Sequence, residues 1–310
     1  MEALQHKALN WEALLTLAAE ERAWTVFDEA EERGIASDPL LLHASFYAER
    51  LDLDSSALGD AYLASRPFYE EMDSEVVILD NTNPHWPTAI GIGSYCPRFL
   101  FVKGNLALLG EPMASVLGTR TPSAEGRERA VKSVRSLARS GFVTLGGLSS
   151  GIEAAAHRAA LNSGEPTVAL IATPHNTFYP LSHMDLQLDI AKRGAVVSQF
   201  GPAAKNEKVH LLLRNRLMSA MARVLVIVED RDGGTAVSQA TWAHQSGKPI
   251  ILYHQSSEDE SLKWPQRFAK SERVRVVKRP QDLGRVALRL SGLQSKKPKD
   301  ESPLSQLSLF

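Results

Sequence analysis

From about residue 75 onward the chain repeats one pattern: a short β-branched run, a glycine-rich turn, then an amphipathic helix. "MASVLG" precedes a helix expected from about Ser123 to Arg139, and "GFVTLGG" precedes one from about Gly151 to Ser163. "TVALIA", "AVVSQF", "RVLVIVED" and "PIILYHQ" follow, separated by helical stretches, and "EVVILD" and "FLFVKG" lead the series. Continuously apolar strands that alternate with helices belong to a parallel sheet covered on both faces. The expected fold is therefore α/β, a Rossmann-like doubly wound and mostly parallel sheet over residues 71–290.

Residues 1–70 have a different texture. Trp11, Leu14, Leu15, Ala18, Ala23, Phe27 and Ala30 fall at three- and four-residue spacings, one helical face that Gly34 should stop. In "SDPLLLHASFYAERL" Asp38 reads as an N-cap and Pro39 as a first-turn residue. This is a small N-terminal helical domain, expected to pack or to meet a partner. Residues 291–310 form the third segment. "QSKKPKDESP" is a charged tether, expected to be disordered, and it ends in the apolar "QLSLF".

Composition narrows the function. The net charge of −1 over 310 residues means that affinity for nucleic acid must come from a local basic patch. A single cysteine, Cys96, builds neither a disulfide framework nor a thiolate metal site, which suits a reducing cytoplasm. The start of the chain lacks the basic-then-apolar order of a signal peptide, and no apolar run nears the ~20 residues of a membrane span, so no membrane association is expected.

The turns carry the chemistry. In an open parallel sheet the strand-to-helix turns gather at the carboxyl ends of the strands, where ligands bind. Gly118, Thr119 and Arg120 form the first turn. Gly146, Gly147, Ser149, Ser150 and Gly151 form the second. Glycine lets backbone approach a ligand, and the following helix offers N–H groups and a partial positive charge to a phosphate. Glycines also permit tight turns without any ligand, but two such loops in neighbouring units favour binding. Arg214 and Arg216, flanking Asn215, could reach phosphates along the same rim, and Tyr179 beside Pro180 could stack on a base. Arg127, Arg129, Lys132, Arg135 and Arg139 add a basic stripe on the helix after Arg120, suited to a polyanion. The turn at Gly233–Thr235 is another candidate, but Asp230 and Asp232 beside it would repel phosphate, leaving it a structural role.

No enzyme constellation emerges. His175 and His183 are too loosely spaced for a metal pair and read as loop residues. There is no Walker-type loop and no nucleophile elbow. Neither a catalytic residue, a metal nor a cofactor is expected.

Six ordered stretches resemble successive blocks of the DprA/Smf family: "LFVKGNLALL", "SVLGTRTPSAEGRERA", "TLGGLSSGIEAAAHRAAL", "FYPLSHMDLQLDIAKRGAVVSQF", "RNRLMSAMARVLVIVE" and "GGTAVSQATWAHQSGKPI". The resemblance covers about residues 76–255. It implies a Rossmann-like domain that binds single-stranded DNA, with a RecA-type recombinase and a second copy of the chain as further candidate partners. The family's Gly–Ser–Arg turn corresponds to Gly118, Thr119 and Arg120, its next glycine-rich block to Gly146 through Glu153, its Tyr–Pro turn to Tyr179 and Pro180, and its Asn–Arg block to Asn215 and Arg216. Thr119 stands for the usual serine and Glu153 for the usual aspartate. The alternative is a nucleotide-processing hydrolase of the lysine-decarboxylase-like Rossmann group, but Ser238 stands where that group has its glutamate. The terminal "QLSLF" is similar to the peptide by which many bacterial replication and repair proteins dock on the DNA-polymerase sliding clamp. Gln306, Leu307, Ser308, Leu309 and Phe310 all match that pattern.

Overall fold

The computed structural model describes residues 1–90, 95–205, 207–268 and 270–294. The tether from Ser295 and the peptide Gln306–Phe310 lie outside the described residues.

The expected first helix is two, α1 (Ala3–Leu15) and α2 (Glu20–Glu32). The ladder ends where the Thr16 hydroxyl turns back onto the Ala13 carbonyl at 2.8 Å, a local alternative to the helical bond. Gly34, at φ +73°, follows the second. Asp38 does not cap a helix. Its carboxylate meets His43 at 2.9 Å, and Leu40–His43 forms a 3-10 turn ahead of α3 (Ala44–Leu51). The cap falls instead to Asp54, which accepts the Ser56 N–H at the head of α4 (Ser55–Glu70).

These helices cover an antiparallel pair, β1 (Val76–Leu79) and β2 (Leu100–Gly104). Val76, Ile78, Phe99 and Phe101 share one buried cluster with Leu9, Trp11, Leu14 and Phe27. The period-2 alternation of the strands sends Leu100 and Val102 to the other face, into the main core. Arg98 locks the junction. Its guanidinium lies 4.8 Å over the Trp24 ring and 4.7 Å over Phe27, and it pairs with Asp28 and Glu31.

The remaining strands are β3 (Met113–Gly118), β4 (Val143–Gly146), β5 (Thr167–Leu170), β6 (Ala195–Ser198), β7 (Val224–Glu229), β8 (Ile250–Tyr253) and β9 (Val274–Val277). Among the described residues the sheet has nine strands in the order β1-β2-β6-β5-β4-β3-β7-β8-β9. From β3 to β9 every neighbouring pair is parallel, while β2 joins β6 antiparallel. The chain winds from β3 to β6 in one direction and from β7 to β9 in the other, so the switch point lies between β3 and β7. On one face α5 (Ala124–Ala138), α6 (Ile152–Asn162) and α11 (Leu283–Ser291) pack through Val134, Ile152 and Ala287, with α7 (Met184–Arg193) beside α6. On the other, α8 (Lys208–Met221) and α9 (Thr235–Gln245) pack through Leu217 and Ala240. A short α10 (His254–Glu258) follows β8. Strand β9, whose exposed centre breaks the apolar run, was not anticipated from the sequence.

Candidate nucleic-acid interface

The first two turns are in backbone contact. The Thr119 N–H donates to the Glu229 carbonyl at 2.7 Å, and the Thr119 carbonyl accepts the Ile152 N–H at 3.2 Å. Glycine is required on both sides. A Cβ on Gly118 would lie 2.5 Å from the Ile152 side chain. One on Gly151, at φ +80°, would lie 2.3 Å from the Thr119 carbonyl oxygen.

Beneath the second turn sits an ion pair. Arg214 is 3% exposed and Glu153 6%, and Nη1 stands 3.8 Å from Oε2. Burial pushes the Arg214 guanidinium below its usual pKa, with Glu153 opposing. Glu153 also accepts the N–H groups of Gly147 at 2.7 Å and Ser149 at 3.4 Å. Leu148 between them takes a left-handed φ of +61°, held by its buried side chain and by His183, whose Nδ1–H donates to its carbonyl at 2.8 Å. His183, expected to be a loop residue, fixes the turn.

His157 was also missed. It is fully buried on α6, with Nε2 against Gly146. The Thr167 hydroxyl gives its one proton to the Thr144 carbonyl at 3.0 Å, so it accepts at 2.8 Å from Nδ1–H of His157. Burial lowers the imidazole pKa to about 3, and the ring is neutral.

Carboxylates of the chain itself lie at the heads of these helices. Glu153 takes two amides of the second turn, those of Gly147 and Ser149. Glu229 accepts from the N–H and hydroxyl of Ser123 at the head of α5 and from Arg129 at 3.0 Å. Asp230 accepts the Ala236 and Val237 N–H groups at the head of α9, so the third turn is structural, as its aspartates implied. An internal carboxylate satisfies the helix-terminal donors that an external phosphate would otherwise meet.

The side chains do converge. One shallow pocket of about 80 Å³ is lined by Arg120, Gly147, Ser149, Ser150, Tyr179 and Arg214. Arg120, Ser150 and Tyr179 are exposed, Tyr179 to 58% ahead of a cis bond to Pro180. Gly118 is buried and Thr119 half-buried just behind Arg120.

Asn215 and Arg216 are not in this pocket. Asn215 is 4% exposed, and its carbonyl accepts from Ser219 and Gln239. Arg216 lies 5.4 Å over the Trp242 ring, in a separate cleft. Two residues along a helix is a turn of about 200°, so Arg214 and Arg216 cannot share a face. The basic stripe is also reduced. Arg129 is half-buried on Glu229, while Arg127, Lys132, Arg135 and Arg139 are exposed, Lys132 in a surface pair with Glu128.

The chain is similar to characterised proteins. DNA processing protein DprA of Streptococcus pneumoniae is 34% identical over 155 residues, 50% of this chain and 55% of the relative. DprA of Bacillus subtilis is 28% identical over 156 residues, 50% and 52% respectively. Protein Smf of Escherichia coli is 26% identical over 230 residues, 69% and 62%. The chain thus spans about half the length of the two DprA relatives. The X-ray structure of S. pneumoniae DprA superposes with a TM-score of 0.70 at 24% identity, covering 91% of this chain and 94% of the other. The DprA structure from Helicobacter pylori that describes a single-stranded DNA binding mode gives 0.61 at 23% identity, covering 69% and 96%. These likenesses show the fold. The family described as DNA recombination-mediator protein A matches residues 77–286, two thirds of the sequence, and the chain belongs to that family.

Proposed function

We propose that this protein binds single-stranded DNA along the rim formed by Arg120, Ser149, Ser150 and Tyr179, and delivers it to recombination partners. One observation carries the reading: exposed polar and aromatic side chains converge in one shallow pocket, while the Gly147 and Ser149 amides beside them are bonded to Glu153. A mononucleotide phosphate buried in a helix-terminal cradle would have to displace Glu153 or Glu229. A strand lying across the rim needs only Arg120 and the serine hydroxyls for its phosphates and Tyr179 for a base. Contacts of this kind are largely independent of base sequence and are weakened by salt.

In this reading residues 71–290 hold the strand, residues 1–70 supply a packing layer or partner surface, and residues 291–310 form a tether. The peptide Gln306–Phe310 docks on the DNA-polymerase sliding clamp, with Leu309 and Phe310 in an apolar pocket of the clamp and Gln306 hydrogen-bonded beside it. A RecA-type recombinase and a second copy of the chain complete the partners, and the protein works in the cytoplasm without catalysis. Among the described residues no helix is long and apolar enough to cross a membrane, and no three acidic, histidine or cysteine side chains group as metal ligands. The hydrolase alternative has Ser238 where its group has a glutamate, and the Ser238 hydroxyl donates to the Gly234 carbonyl at 3.2 Å.

The test is a salt titration of oligonucleotide binding, run beside a nucleoside-monophosphate hydrolysis assay. The proposal expects salt-sensitive binding of single strands and no turnover. Saturable hydrolysis abolished by a substitution in the Gly233–Thr235 turn would overturn it in favour of the enzyme.

A further inference from the structure

The pocket at the rim has a charged residue in its lining that the strand reading does not use. Arg214 lines it at 3% exposure, while Arg120 lines it fully exposed. A guanidinium has five N–H donors. Those of Arg214 are poorly used. Nη1 donates to the Leu170 carbonyl at 3.4 Å and stands 3.8 Å from Glu153 Oε2, beyond hydrogen-bond reach. Nε is buried without a hydrogen-bond partner. The same Glu153 oxygen already accepts the Gly147 and Ser149 amides. Burial lowers the Arg214 pKa, Glu153 opposes, and the Arg120 charge adds to the lowering, so the two guanidiniums repel one another.

A buried donor without a partner, and two cations against one carboxylate, mark a place where an anion is expected. The site also sets the anion's charge. The head of α6 adds to the field, since its N-cap Gly151 brings no side-chain cap. Two guanidiniums less one carboxylate, with about +0.5 for the helix end, leave about +1.5 elementary charges. A phosphodiester inside a strand brings one negative charge and two free oxygens. A phosphate monoester brings about −1.5 to −2 near neutral pH and three free oxygens.

The donors suit three oxygens. Arg214, Arg120 and the serines Ser149 and Ser150 surround one pocket of about 80 Å³. That is well below the ~300 Å³ at which pockets begin to enclose a whole small ligand, so a phosphate group enters and its nucleoside stays outside, beside Tyr179. Such a phosphate takes side-chain donors and leaves the Glu153 bonds to the turn amides in place. An internal phosphate is tied to a sugar on both sides and stays on the rim with Arg120. A terminal one has a single tie and can reach Arg214.

We propose that this pocket is a strand-end site, which takes the terminal phosphate of a single strand between Arg214 and Arg120. Free inorganic phosphate shares that chemistry, and the strand as its source rests on the single-strand reading above.

The experiment measures fluorescence anisotropy of a twelve-residue dT oligonucleotide, labelled on a central base, with both ends hydroxyl, with a 5′-phosphate or with a 3′-phosphate. One phosphorylated strand should bind about fivefold tighter than the hydroxyl-ended strand. Inorganic phosphate should remove that preference relative to chloride at equal ionic strength. Arg214→Lys keeps the charge but loses the planar fork, and should reduce the preference, with thermal unfolding as the check on its fold. Equal affinity of the three strands overturns the end site and leaves strand binding standing. If no strand binds but inorganic phosphate raises the unfolding temperature, and folded Arg214→Lys loses that rise, the phosphate pocket stands and strand binding falls. A preference unchanged in folded Arg214→Lys protein overturns the assignment. Should that variant not fold, a preference in the parent that inorganic phosphate fails to remove overturns it instead.

Discussion

Nη1 of Arg214 occupies the space that a side chain at position 147 would need: a Cβ on Gly147 would lie 1.1 Å from it. The guanidinium and the second turn are thus built around each other, with Glu153 bonded to the turn amide and standing 3.8 Å from the guanidinium.

Gly147→Ala should therefore cost at least about 2 kcal/mol of stability, because the buried guanidinium has to be displaced. The cost should shrink in an Arg214→Ala background. Denaturant unfolding of the two single variants and the double variant measures this coupling. Additive costs would show that the contact does not limit the site.

Arg120 is exposed at the pocket mouth, and its loss should leave the fold intact. Arg120→Ala should weaken binding of all single-stranded sequences by about 1.5 kcal/mol, roughly tenfold, and lower the salt slope by about one. Arg216→Ala should have the smaller effect, since Arg216 lies over Trp242 and outside that pocket. Equal effects would move the strand across α8.

His157 should make the fold sensitive to acid. The unfolded imidazole binds a proton near 6.5 and the folded one only near 3. Between those values the unfolded chain holds more protons, so stability falls as pH is lowered, by about 1.4 kcal/mol per unit once well below the unfolded value. His175, lowered by burial to about 4, acts in the same direction. Glu12 acts oppositely, because its pKa is raised from 4.5 to about 7: its contribution is full below 4.5 and is lost as pH rises to 7. Urea midpoints from pH 4 to 7 should show a shallower slope for His157→Gln than for the parent. An unchanged slope would mean that His157 does not carry the acid sensitivity.

The clamp proposal makes the terminal peptide separable in function from the DNA-binding body. Deleting residues 306–310, or changing Leu309 and Phe310 to Ala, should abolish sliding-clamp binding in calorimetry and leave oligonucleotide binding unchanged. From Gly292 to Gln306 the tether is about 14 residues and reaches at most ~45 Å, enough to hold the body beside a clamp on the same DNA. No clamp affinity in the intact protein at high micromolar concentration would refute the assignment.

Local physics made part of this protein legible from its residues. The alternation of apolar strands and helices specified a doubly wound sheet, since strands buried on both faces read as continuous apolar runs. The α5 start followed from Ser123, whose hydroxyl accepts the Gly126 N–H, because capping is chemistry among neighbours. Tertiary contacts decided the rest. Which side chain meets a helix head depends on residues distant in the chain, as Glu229 is from Ser123, so the carboxylates beside these turns are not legible from the turns themselves. Helical phase sent Arg214 under the second turn and Arg216 to Trp242, though only Asn215 separates the two in the sequence. Burial, which no single stretch encodes, made His157 a neutral support for that turn and left Glu12 facing a cavity that only the packing of α1 against the end of β6 creates.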